Sequence, residues 1–158
     1  QEQLENLLKL YKERDLGTIL ILATYLLAQF PNSIVLNNFL GDCHTKLGNF
    51  EAAIENYKVI LKSTPQDYNS QFNLANLQMY LGEFDEALNG YQKVLDINST
   101  DFETYNNMGI CWEQKGKLDN AITSFQRAIE LNPKLSTAYE NLTKALEAKT
   151  NLETGRTG

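Results

Sequence analysis

Few side chains in this sequence could do covalent or acid–base chemistry. His44 is the one histidine, with Cys43 directly before it and Cys111 far along the chain. A multi-histidine metal site cannot be assembled from that set. Neighbouring side chains on a helix diverge by about 100°, so Cys43 and His44 do not form a nucleophile–base couple by adjacency alone. A serine triad would have to be built on His44, which falls on an apolar stripe and reads as a packing residue. No GxGxxG or GxxxxGK[ST] loop is present to cradle a phosphate. The acidic pair Asp85-Glu86 opens a helix, where carboxylates complement the helix dipole. The expectation is therefore a protein that is not an enzyme and needs no cofactor or metal. What recurs instead is an amide: Asn73, Asn107 and Asn141 stand at one constant spacing. An amide donates and accepts at once, so such a row could pair with the main chain of an extended peptide whatever its sequence. The same asparagines could equally bond locally, and both readings stay open here.

The elements that would position these amides are written as near-copies. One step of the same spacing back from Gly116 reaches Gly82, and a second reaches Gly48; equal steps join Ala121 to Ala87 and Ala53, and Phe125 to Tyr91 and Tyr57. Pro133, Pro65 and Pro31 fall in register, with Ser99 the one gap. A fixed period of this kind is the mark of a repeat array. Each copy holds two amphipathic runs around a glycine, with apolar residues at helical spacing. The expected repeats are 34–67, 68–101 and 102–135, preceded by a divergent first repeat at 1–33 with helices at about 3–13 and 16–29. In that first repeat Leu4, Leu7, Leu8 and Tyr11 share one face, Arg14 replaces the glycine, and Leu16–Phe30 is apolar nearly all round. Asp67 and Asp101 are the expected N-caps. Residues 136–149 read as a polar capping helix, with Tyr139, Leu142 and Leu146 on its apolar side. The expected domain is single, 1–149, with 150–158 a flexible tail. The missing initiator Met is read as an excised piece of something longer.

Composition excludes several classes. The formal net charge of −6 opposes binding to nucleic acid, which needs clustered Lys and Arg, and equally opposes anionic membranes. The apolar run around Ile19–Ala28 is about half the roughly 20 residues of a spanning helix. Cys43 and Cys111 are two whole repeats apart, which stacked helices about 8–10 Å from one another would hold beyond disulfide reach. Unpaired, buried thiols suit a reducing compartment, so a cytoplasmic protein is expected.

With Tyr105, Gly109, Trp112, Ala121, Phe125, Ala128 and Pro133 in place, the chain resembles the tetratricopeptide repeat family, strongly over 34–133 and weakly over 1–33. The resemblance implies an all-α fold, an α-solenoid of antiparallel helix pairs forming a right-handed superhelix. It also implies a concave groove, lined by the first helix of each pair, that holds a peptide or partner segment. The residues expected to line it are Asn38, Phe39, Asp42, Phe72, Asn73, Asn76, Tyr80, Asn106, Asn107, Ile110 and Asn141. The O-linked N-acetylglucosamine transferases of the family use an asparagine row on peptide main chain. Phe39, Phe72, Met79 and Tyr80 read either as anchors for a partner's apolar side chain or as filling between repeats. Of the positions with which chaperone-binding members clamp a C-terminal carboxylate, Asn73 alone matches. Asn38, Asp42, Glu103 and Asn107 stand at the others, so an acidic tail is not the expected ligand. The expected partner is a protein or peptide, extended and neutral to basic. The array also resembles modules that precede sulfotransferase, glycosyltransferase or oxygenase domains, which leaves an accessory role in a larger enzyme as an alternative. A third is homo-oligomerisation through the apolar first repeat.

Overall fold

The computed structural model describes residues 5–6, 9–10, 13 and 15–155. Most of the helix expected at 3–13 lies outside them, with Leu4, Leu7, Leu8, Tyr11 and Arg14, as do residues 156–158. Among the described residues from Leu16 onward there are eight helices and no strand: α1 Leu16–Gln29, α2 Ile34–Lys46, α3 Phe50–Ser63, α4 Tyr68–Tyr80, α5 Phe84–Ile97, α6 Phe102–Gln114, α7 Leu118–Leu131 and α8 Ser136–Thr154. This is an all-α solenoid of paired helices. Their contacts divide the chain into two compact units, Gln1–Leu77 and Gln78–Gly158, with the boundary inside α4.

Local chemistry sets the helix ends. Asp15 accepts from the Thr18 amide at 3.1 Å, Ser33 from Leu36 at 3.4 Å, and Asp67 from Ser70 at 2.8 Å, each satisfying a donor that the first turn leaves open. Asp101 departs from its expected role. It makes no side-chain bond to the helix amides and instead accepts from the Thr104 hydroxyl. The inter-helix turns at Gly48, Gly82 and Gly116 have φ of 77°, 80° and 69°, a region that L side chains adopt at a cost.

In the first unit, Ile19, Ala23 and Leu26 of α1 interlock with Leu36, Leu40 and Cys43 of α2. A second cluster joins Ala53, Tyr57 and Ile60 of α3 to Leu74 and Leu77 of α4. In the second unit Ala121 and Phe125 of α7 pack with Ala145 of α8, flanked by Ile110, Trp112, Ile122 and Leu142. The helices of a pair come so close that a Cβ on Gly41 would lie 2.8 Å from the Tyr57 ring, and one on Gly109 would come closer still to the Phe125 ring. Both glycines sit mid-helix at an intrinsic cost of about 1 kcal/mol, which the burial of a whole ring outweighs. Two ion pairs, Lys115–Asp85 at 2.5 Å and Lys149–Asp119 at 2.7 Å, are one contact made again in the following repeat.

The last helix departs from its expected boundary. It runs to Thr154 rather than stopping at 149, so the segment read as a tail is helical over 150–154. Thr150 stands where the repeats carry Gly48, Gly82 and Gly116, and the helix continues through it to Gly155, whose φ is 66°.

Gly109→Ala is expected to destabilise the protein by about 2 kcal/mol, within the range for overpacking a filled site. Urea titration of the variant and of Gly109→Ala combined with Phe125→Leu checks it, since the smaller side chain should recover part of the loss.

Candidate functional site

The expected groove residues divide between the two units. In the first, Asn38, Phe39 and Asp42 of α2 and Phe72, Asn73 and Asn76 of α4 are all half-buried. Phe39 packs against the core cluster formed by α1 and α2, and Phe72 stacks on Tyr68 with ring centroids 6.0 Å apart. The Tyr57 hydroxyl ties the polar members together. It donates to Asp42 Oδ1 at 2.9 Å and accepts from Asn73 Nδ2 at 3.4 Å. Burial first, and then the adjacent Asp42 charge and hydrogen bond, push the Tyr57 phenol well above its usual value. It therefore stays protonated and acts as a fixed bridge.

In the second unit, Tyr80 is exposed while Asn107, Ile110 and Asn141 are half-buried. Asn107 is hydrogen-bonded to Tyr91, whose phenol burial also raises. Tyr91 also points its hydroxyl at Met79 Sδ, 3.6 Å away. Asn106, expected to face solvent, is instead buried. Its Oδ1 accepts from Asn141 Nδ2 at 3.2 Å. The reason is visible one helix back: Phe125 occupies the place of Tyr57 and Tyr91 but has no hydroxyl, so Asn141 finds a different partner.

Periodicity alone does not reveal these tyrosine–asparagine links, although the sequence carries their signal. Tyr57 precedes Asn73 by the same interval that separates Tyr91 from Asn107 and Phe125 from Asn141. The recurring amide thus has a local partner in every copy. Asn37 is a second buried amide, donating to the Ser33 carbonyl at 2.9 Å and accepting from Asn56 at 3.0 Å.

Burial shifts the two thiols and the one imidazole toward their neutral forms. Cys43 and Cys111 are buried as free thiols. Burial raises both, and pushes Cys111 up to about 12. Burial lowers His44, whose Nδ1 has no hydrogen-bond partner, so its ring is neutral at pH 7. Among the described residues, no three His, Cys, Asp or Glu side chains are grouped to hold a metal. No helix among them is long and apolar enough to cross a membrane.

Stacked helical hairpins with polar and aromatic side chains on their first helices define the class: a helical-repeat protein. Sequence models described as tetratricopeptide repeat match residues 35–67 and 102–135, and one described as TPR repeat matches 75–111. The chain belongs to the tetratricopeptide repeat family. No curated protein matches it significantly. Among solved structures, MamA is similar with TM-score 0.85 at 21% identity, over 90% of this chain and 83% of that one. YrrB, described as a TPR protein with an unusual peptide-binding site, is similar at 0.82 and 19%, over 94% and 77%. The first TPR of Spaghetti (RPAP3), bound to the HSP90 peptide SRMEEVD, is similar at 0.70 and 22%, over 74% and 93%. At these identities the likeness concerns the fold.

From neutral pH to about pH 9 stability should be flat, and it should fall above that. The unfolded chain releases the Cys111 proton near 9 and the Tyr57 and Tyr91 protons near 10, whereas the folded state retains them. The unfolded state then binds fewer protons, and unfolding becomes easier as pH rises. Urea titrations from neutral to alkaline pH check this, and replacing Tyr57 and Tyr91 by Phe should flatten the part of the loss above pH 10.

Proposed function

We propose that the chain is a non-catalytic protein-interaction scaffold that holds extended partner segments against the first helices of its repeats. The observation that carries this is the chemistry on those helices: half-buried amides beside half-buried apolar groups, on a backbone made rigid by pairing. In the first unit these are Asn38, Asn73 and Asn76 with Phe72; in the second, Asn107 and Asn141 with Ile110. An amide can meet peptide N–H and C=O groups alike, and a pre-formed apolar surface can take an anchoring side chain. The Tyr57 bond to Asn73 and the Tyr91 bond to Asn107 restrict those amides before any partner arrives. That lowers the ordering cost of binding. Asp42 and the net charge of −6 favour a neutral to basic segment over an acidic one. Peptide binding by YrrB and by the Spaghetti repeat domain supports the reading, since both are neighbours in fold.

Selection from a displayed library of random peptides tests it. Neutral to basic sequences with an apolar anchor are expected. Asn38→Ala or Phe72→Ala should weaken binding of peptides captured by the first unit about tenfold, or about 1.4 kcal/mol. Captured peptides whose affinity ignores these and the equivalent Ile110→Ala change would discard the first-helix surface.

A second reading, self-association, has one observation in its favour. On α1, which carries no charged residue, Ile21 and Tyr25 are 74% and 61% exposed. The residues in register with Ile21 are Glu55, Asn89 and Thr123, and those with Tyr25 are Val59, Lys93 and Arg127. Exposed apolar side chains where sister helices are mostly polar suit a contact between copies. Sedimentation should then show a concentration-dependent dimer that Ile21→Lys abolishes; a monomer at every concentration removes this reading.

A further inference from the structure

Of the three ring positions in register, one sends its proton to a carboxylate. The Tyr57 hydroxyl donates to Asp42 Oδ1 at 2.9 Å, the Tyr91 hydroxyl points at the Met79 thioether, and Phe125 has no hydroxyl. Asp42 is singular in its own register as well, where Asn76, Ile110 and Lys144 follow it. Within the first unit, α2 therefore carries a half-buried anion tied to the core by a phenol.

The direction of these hydrogen bonds decides what the surface offers. A phenol has one proton to give. With that proton committed to Asp42, an amide can meet the phenol oxygen only through its nitrogen, and Asn73 Nδ2 does so at 3.4 Å. Burial first, then the Asp42 charge, keeps Tyr57 protonated, so the run of bonds from Asn73 through Tyr57 to Asp42 does not reverse. The amide of Asn73 is thereby oriented with its carbonyl oxygen away from the phenol. A carboxylate accepts along about four lone-pair directions, and Tyr57 engages one of them. Two first helices thus set a charged acceptor and a neutral one around a single phenol.

Charge and shape name the group that fits. An ammonium carries three donors and no acceptor, whereas an acidic side chain meets repulsion at Asp42. Half-burial limits screening by salt, and a hydrogen bond to an ionised partner is roughly twice as strong as a neutral one. The Tyr57 bond crowds the two-oxygen pairing through which arginine gains its advantage over lysine, and a compact ammonium needs no such pairing. Phe39, one turn before Asp42 and half-buried, gives the methylenes of a lysine stem an apolar bed. Lys46, one turn beyond Asp42, is exposed, and a cation so placed offsets the carboxylate only weakly.

We propose that Asp42 and Asn73, aligned by Tyr57, form a subsite for one lysine side chain of an extended partner segment. The subsite rests on the scaffold function proposed above and fixes what the first unit selects within such a segment. Asp42 and Asn73 contact the ammonium; Tyr57 is a positioning residue that acts through them.

The test selects displayed random peptides on the full chain and, in parallel, on its Asp42→Asn variant. Lysine should be enriched at one position in the first pool and not in the second. A selected peptide is then synthesised with that lysine or with norleucine, which keeps the stem and drops the charge. Norleucine should raise Kd at least tenfold on the native chain and less than threefold on Asp42→Asn. Tyr57→Phe, a ring this register already holds at Phe125, should weaken the lysine peptide at least threefold and leave the norleucine peptide within twofold. Captured peptides that Phe72→Ala weakens but that show no lysine preference would overturn the subsite and leave the scaffold reading standing. So would a norleucine penalty that Asp42→Asn leaves undiminished. A selection that captures nothing would overturn both.

Discussion

Two helix pairs depend on one steric bargain, an aromatic ring laid where the facing helix has no side chain. Tyr57 over Gly41 and Phe125 over Gly109 bring paired helices closer than any Cβ would permit. That proximity lets short helices bury whole rings and still turn their remaining faces outward. Packing of this density leaves little slack. At these two crossings the glycine and the ring act as a single unit, while Ala75 stands at the register position between them.

The same ring position also governs the polar surface. Tyr57 and Tyr91 extend the buried ring by one oxygen, and that oxygen reaches the asparagine of the next first helix. In the last copy the oxygen is missing, and Asn141 turns to Asn106. A substitution in the core thus resets the surface amide on the helix that follows. Core packing and surface chemistry, usually separable, are joined here by a phenol that burial keeps protonated.

Much of this is legible in the residues. The spacing of Gly48, Gly82 and Gly116 places the turns, because only a residue tolerant of positive φ can reverse the chain there. The nearly continuous apolar run from Leu16 to Phe30, closed by Pro31, gives α1 its approximate bounds. Other features are hidden for physical reasons. A helical wheel ranks positions by angle alone, so it reads Asn106, on the side opposite the stripe, as exposed; the residue is buried, and Asn141 of the next first helix, α8, donates to it. Asp101 has the composition of a cap, yet a neighbouring hydroxyl claims its carboxylate. The tail after Thr150 lacks apolar periodicity, but α-helical continuation needs no such pattern when nothing in the backbone stops it.

Thr150 also bears on how such arrays lengthen and shorten over evolutionary time. Duplication of a hairpin unit copies its hinge together with its helices. At position 150 the hinge is exchanged for a straight rod, which runs on to Gly155. Reversal of that exchange would give a newly acquired segment a place to fold back. A single codon thereby bears on whether the chain turns or runs straight at this point.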